Sequence, residues 1–196
     1  MALVLNGSGI TSANLVNGTI VDEDVADVAA SKLTGALPAI DGSALTGVGK
    51  VLQVVSTTKT DAFSSSGASW SDITGLSVSI TPSSTSSTIL VTACLSLDSS
   101  DTNLVGGRIM RDSTPIAVST VTGSQFEGAF SRVAGGYSAE TQSLTHEDSP
   151  ATTSAVTYKI QLNGYSSGTH YVNRPSSLAT NRSTSVSSIT VMEIGA

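Results

Sequence analysis

The sequence predicts an all-β fold, a C-terminal sandwich or jelly roll behind a thin, mostly irregular N-terminal stalk with one short helix. Three observations predict it. Small hydroxyl residues dominate, with 35 Ser and 25 Thr among 196 residues. Thr is β-branched and suits strands, while Ser competes with the helical backbone for hydrogen bonds and suits turns. Apolar and polar residues then alternate with period two along most of the chain after Lys50. Finally, composition breaks near residue 49: the stretch before it has no aromatic residue, five acids (Asp22, Glu23, Asp24, Asp27, Asp41) and a single base, Lys32.

Residues 1–49 read as an attachment and stalk segment. Leu15, Ile20, Val25, Val28, Leu33, Leu37, Ile40 and Leu45 form a thin apolar row. Its spacing is too long for a strand and too ragged for a heptad. One helix is expected, with Asp22 or Asp24 as N-cap, Val25, Val28, Ala29 and Lys32 sharing a face, and Gly35 as C-cap. At three turns or fewer it is too short to stand alone. Pro38 and the glycines after it then predict an extended, turning chain. Eight medium-sized apolar side chains do not offset the entropy of ordering this segment. The row is therefore expected to be buried between copies of the chain, in a multi-chain stalk.

Residues 50–196 read as the β domain. LSVSI (76–80) sets Leu76, Val78 and Ile80 against two serines. ILVTACLSL (89–97) sets Ile89, Val91, Ala93, Leu95 and Leu97 against Thr92 and Ser96. VTYKIQL (156–162) sets Val156, Tyr158, Ile160 and Leu162 against Thr157, Lys159 and Gln161. Weaker strands are expected at 51–58, 69–74, 108–112, 115–120, 128–134 and 188–194. In the last, Ile189 and Val191 oppose Met192 and Ile194, so both faces are apolar, which predicts contact with the inner sheet on one side and another subunit on the other. Turns fall at Thr81-Pro82-Ser83-Ser84, Asp112-Ser113-Thr114-Pro115, Asn163-Gly164 and Ser167-Gly168. Loops are expected at 98–107, 122–127, 138–150 and 163–185.

Charge and cysteine narrow the function. Only 12% of residues are charged, against about 25% in an average globular protein, and the net charge is −6. Nine scattered bases form no basic stripe, which argues against nucleic-acid binding. No apolar run approaches the roughly 18 residues of a membrane span, and the start MALVLNGSG lacks the features of a secretion signal. Membrane insertion is not expected. A single cysteine, Cys94, permits no intrachain disulfide and no cysteine cage for zinc; it reads as a small buried hydrophobe.

No catalytic constellation stands out. His146-Glu147-Asp148 reads as a solvated loop, since neighbours in an extended loop point to different sides. No G-x-S-x-G elbow is present. The chain is expected to be a non-enzyme with no cofactor and no metal. Tyr158 reads as core, and Trp70 as core or interface. Arg108 and Arg111 read as an intersubunit salt bridge or a polar rim. Tyr165 and Tyr171 flank turns rich in Ser, Gly, His and Asn, which is the makeup of a carbohydrate-binding or partner-binding surface; the other reading is aromatics that pack a loop onto the sandwich. Asn163, His170, Asn173 and Arg174 would supply the hydrogen bonds.

The stretch GTIVDEDVADVAASKLTGALPAIDGSALTGV (18–48) resembles shaft or linker repeats in fibres of tailed bacteriophages, particularly marine and cyanobacterial ones. GKVLQVVSTTKTDAFSSSGASWSDITGLSVSITPSSTSSTILV (49–91), with RDSTPI (111–116), DSPATTSAVTYKIQ (148–161) and SSITVMEIG (187–195), resembles the C-terminal head domain of the same fibres. That head is similar to trimeric jelly rolls of the tumour-necrosis-factor and C1q type. The resemblance implies a homotrimeric fibre or spike subunit, assembled in the host bacterial cytoplasm and carried on the virion. Its N-terminal segment would meet other virion proteins, and its head a host receptor, expected to be a surface glycan. A distal tail fibre, a baseplate spike and a capsid fibre all fit so short a chain. The rival expectation is a purely architectural capsid fibre or cement protein with no receptor role.

Overall fold

The computed structural model describes residues 50–100, 104–120, 128–133, 139–164, 167–180 and 183–195. The stalk row Leu15 to Leu45 and the expected helix lie outside the described residues, as does Tyr165. Among the described residues eleven strands form, in the order β1 (Lys50–Lys59), β2 (Phe63–Ser66), β3 (Ser71–Ile80), β4 (Thr88–Ser99), β5 (Leu104–Arg111), β6 (Thr114–Ile116), β7 (Phe130–Val133), β8 (Glu140–Asp148), β9 (Val156–Gly164), β10 (Thr169–Val172) and β11 (Ser187–Gly195). They build an all-β sandwich.

The first sheet runs β1-β11-β4-β8, with β10 continuing along the edge of β4 that β11 leaves at Cys94, and β2 outside β10. The second runs β3-β9-β5, and the far edge of β5 is shared by β7 and then β6. Every pairing is antiparallel. The chain crosses from sheet to sheet at β2–β3, β3–β4, β4–β5, β7–β8, β8–β9 and β9–β10. β1 and β11 pair along their whole length, from Lys50 opposite Gly195 to Lys59 opposite Ser187.

Alternation places the core. Ile89, Val91, Ala93, Leu95 and Leu97 of β4, with Ile189 and Val191 of β11, face Leu76, Val78 and Ile80 of β3 and Val156, Tyr158, Ile160 and Leu162 of β9; all are buried. Removing this apolar surface from water is the main driving force for the sandwich.

Several expectations need correction. The segments at 69–74 and 76–80 are one strand, β3, with its register broken between Asp72 and Ser77, where Gly75 adopts a positive φ of 81°. The strand expected at 115–120 ends at Ile116, because Ala117 turns to a φ of 54°. β2, β8 and β10 lie in stretches read as loops or not read at all; β8 occupies most of the loop expected at 138–150. Its inward positions are Gln142, Leu144, His146 and Asp148, so only one residue there carries the apolar signal. In the expected loop 98–107, residues 98–99 end β4 and 104–107 begin β5, while 101–103, like the expected loop 122–127, lie outside the described residues. Cys94 is part-exposed on the outward side of β4, opposite Ser188 and Ser143, rather than buried.

Three buried polar residues hold strands and turns in place, one of them across the two sheets. Asp148 of the first sheet accepts from Arg111 Nη1 at 2.7 Å and from the Tyr158 hydroxyl at 2.6 Å, both in the second sheet. Burial, then this bond, push the Tyr158 phenol well above its ordinary range. Glu193, on β11, accepts from Gln53 Nε2 at 2.6 Å and from the Ser83 amide and hydroxyl, each at 2.7 Å. Burial works to raise this carboxyl, but the hydrogen bonds win and hold it at about 2.

Asn173 is the third. Its Nδ2 donates to the carbonyls of Lys59 and Asp61 at 2.8 and 3.0 Å, while its Oδ1 accepts from Ser187 Oγ at 2.6 Å. Its φ of 64° lies in the left-handed region, which Asn tolerates better than most residues.

Candidate functional site

Of the six residues expected to form a glycan site, the five that are described do not share one surface. His170 faces the core from β10, fully buried, with Nδ1 3.0 Å from Ser99 Oγ. Its ring lies hard against Gly164, where an added Cβ would overlap the imidazole. Asn173 is committed to the buried network above. Asn163 is 9% exposed, and its Oδ1 is buried without a hydrogen-bond partner among the described residues. His170 and Asn173 are therefore not offered to a ligand in solution. What remains is a pair. Tyr171 points outward from β10, and the Arg174 guanidinium stacks 4.5 Å from its ring centroid, a contact worth about 0.5–1 kcal/mol at an exposed position.

The sequence missed why this corner is closed. Residues 173–176 and 185–187 fold over the end of β4. Ser96 Oγ bonds to Ser185 Oγ at 2.5 Å, the Ser96 amide donates to Ser187 Oγ at 3.0 Å, and the Ser176 amide donates to Asp98 Oδ2 at 2.6 Å. Ser96 and Asp98 sit on the outward side of β4 yet are buried beneath this strap.

Elsewhere the outward face of the first sheet is open and carries almost no charge. The register aligns Val54, Met192, Leu90 and Glu147 in one row across β1, β11, β4 and β8. The next row is Ser56, Thr190, Thr92 and Thr145, where Ser56 and Thr190 hydroxyls lie 2.8 Å apart. Beyond Val54, Val51 pairs with Ile194. Val51, Leu52 and Val54 are 56%, 43% and 55% exposed, an apolar patch on an edge strand.

The outward face of the second sheet is built differently. Asp72, Gln161 and Arg108 stand opposite one another across β3, β9 and β5. Arg108 Nε donates to Gln161 Oε1 at 2.8 Å, Gln161 Nε2 donates to Asp72 Oδ1 at 2.7 Å, and Lys159 Nζ reaches Asp72 Oδ2 at 2.7 Å. The hydrogen bond from Lys159, followed by that from Gln161, lowers the Asp72 carboxyl below its ordinary range. At the β3 end of the row, Trp70 is part-exposed and the Arg108 guanidinium lies 4.3 Å from its ring centroid. Trp70 is thus not part of the buried core. Arg108 and Arg111, read together from sequence, point to opposite faces, and Arg111 pairs within the chain with Asp148.

His146-Glu147-Asp148 is not a solvated loop but the end of β8, with Asp148 bonded to the second sheet. Among the described residues no three His, Cys, Asp or Glu side chains gather where they could hold a metal ion, and no helix is long and apolar enough to cross a membrane.

No protein-family model matches the sequence, and no curated protein matches it. Among solved structures, that of infectious bursal disease virus Gx strain is similar at 16% identity and a TM-score of 0.36, over 72% of this chain and 41% of that one. The chain therefore spans less than half the length of that viral chain.

Proposed function

We propose that the chain is a structural protein of a bacteriophage virion, a homotrimeric fibre or spike subunit. Residues 1–49 form its stalk, and its β domain binds a glycan on the host surface. The carrying observation is the outward face of the first sheet. Val51, Leu52 and Val54 expose aliphatic surface on an edge strand, in register with Met192, Leu90 and Ile194. Such an edge invites pairing unless something covers it. The neighbouring rows offer neutral hydroxyls, which bury at far lower cost than charges.

A second and a third copy of the chain are the occupants this surface suits. The patch lies on β1, the first strand after the stalk segment in sequence. The resemblance of residues 18–48 and 49–91 to phage fibre shafts and heads supports the virion placement. In this reading the chain performs no chemical step. It works by avidity, with three weak sites presented together.

Light scattering on the full chain at neutral pH is the test. The expected mass is three times the 19.7 kDa of one chain, and Val54→Asp should shift it toward the monomer. A wild-type mass of one chain in dilute solution would overturn the assembly.

A further inference from the structure

We propose that the outward row Asp72, Gln161 and Arg108, with Trp70 and Lys159, is the saccharide site of the head, and that it takes a hexopyranose unit of a cell-surface glycan. This rests on the receptor-binding reading above and names its site. A pyranose offers one flat C–H face and a ring of hydroxyls, each able to donate and accept. Its recognition calls for an aromatic plate beside polar groups already held in place.

The second sheet supplies both. The Trp70 indole is part-exposed, and the Arg108 guanidinium lies over one face of its ring, 4.3 Å from the centroid. Carboxylate, amide and guanidinium then follow in one line across three strands, each oriented by a hydrogen bond of 2.7 or 2.8 Å to the next. Side chains ordered in advance lose little entropy when a ligand arrives. Asp72 keeps 52% of its side chain exposed and Lys159 keeps 26%, so a carboxylate acceptor and an ammonium donor stand within reach of neighbouring sugar hydroxyls. The break in β3 register falls directly after Asp72, and irregularities of this kind commonly re-aim side chains beside functional sites.

The Tyr171–Arg174 pair is poorer in fixed partners, because His170 and Asn173 beside it are buried. The row also lies on the sheet opposite the self-association face. It would stay open in the trimer and be presented three times.

The chain has one tryptophan, so its fluorescence reports on this site alone. The full chain is titrated with the methyl glycosides of glucose, galactose, mannose and glucuronic acid. A saturable change with at least one of them is expected, in the millimolar range of a single weak site. Asp72→Asn and Gln161→Ala should each weaken it about tenfold or more while the melting temperature holds. Flat titrations with all four probes, or saturation untouched by both variants, would overturn the site. An array of bacterial polysaccharides, probed with the same proteins, separates the two failures. Array binding that survives both substitutions removes this site and leaves the receptor reading standing. Flat titrations together with no array binding remove both.

Discussion

The two outward faces of the sandwich arise from the same strand alternation and carry opposite chemistry. On the first sheet the outward rows hold Val54, Leu90 and Met192, then Ser56, Thr190, Thr92 and Thr145, with Glu147 as their only charge. On the second, a carboxylate, an amide, a guanidinium and an ammonium are linked by hydrogen bonds beside an indole. The first face is cheap to desolvate and presents nothing that requires a particular partner orientation. The second is costly to bury and rich in directional groups. Alternation fixes which residues point outward; the residue types then give one face the chemistry proposed above for self-association and the other the chemistry proposed for recognition.

Both faces stand on one core, and the strongest way to break the comparison is to cut a tie between the sheets. Asp148→Ala leaves the Arg111 guanidinium and the Tyr158 hydroxyl without their shared acceptor. It should lower stability by about 3 kcal/mol, the scale of breaking a largely buried ion pair, as read from the midpoint of chemical denaturation. A loss below about 0.5 kcal/mol, as for an ordinary surface change, would mean that the sheets are held by apolar packing alone.

A smaller effect is expected at the acid end. Glu193 is held at about 2 in the fold, below its ordinary value, so its carboxylate stabilises the folded state. That contribution is complete above the ordinary value of about 4.5 and is lost as pH falls from there toward 2. Glu193→Gln should be less stable than wild type at neutral pH and show a shallower loss across this window. Equal acid slopes in the two proteins would assign the loss to other carboxylates.

The smallest effect sharpens the comparison. Asp72→Asn, on the charged face, should change stability by no more than about 0.5 kcal/mol, because exposed ion pairs contribute little. A cost several times larger would make the row a structural brace rather than a surface kept for binding.

Legibility followed the apolar signal. β4 and β9 announce themselves because Val, Ile, Leu and Ala, with Tyr158, fill their inward positions, and β11 more weakly because Ile189 and Val191 share its inward side with Glu193. β8 is hidden because Gln142, His146 and Asp148 take those places, and β10 because His170 does. The single strand β3 looked like two because Gly75 interrupts its period.

The candidate sites were harder to read for a different reason. Asn173 bonds to backbone 112 and 114 residues away, and nothing in Asn-Arg-Pro foretells that. The Asp72–Gln161–Arg108 row exists only through register, since its members are 89 and 53 residues apart. The outward positions Lys159 and Gln161 were already visible in VTYKIQL, and a lone tryptophan near a strand start was the remaining clue. Joining them required knowing that β9 lies between β3 and β5.

The pairing of β1 with β11 has a mechanical consequence. Force entering the domain at Lys50 along the strand axis pulls β1 lengthwise past β11, with which it pairs from Lys50 to Lys59 and whose register shifts once, between Val51 and Gln53. Hydrogen bonds of an antiparallel pair lie across the strands, so such a load is shared among the whole ladder instead of opening one rung at a time. A pull of the same size directed across the sheet would peel the edge strand from its end. The domain should accordingly resist extension along its first strand far better than sideways bending at the same residue.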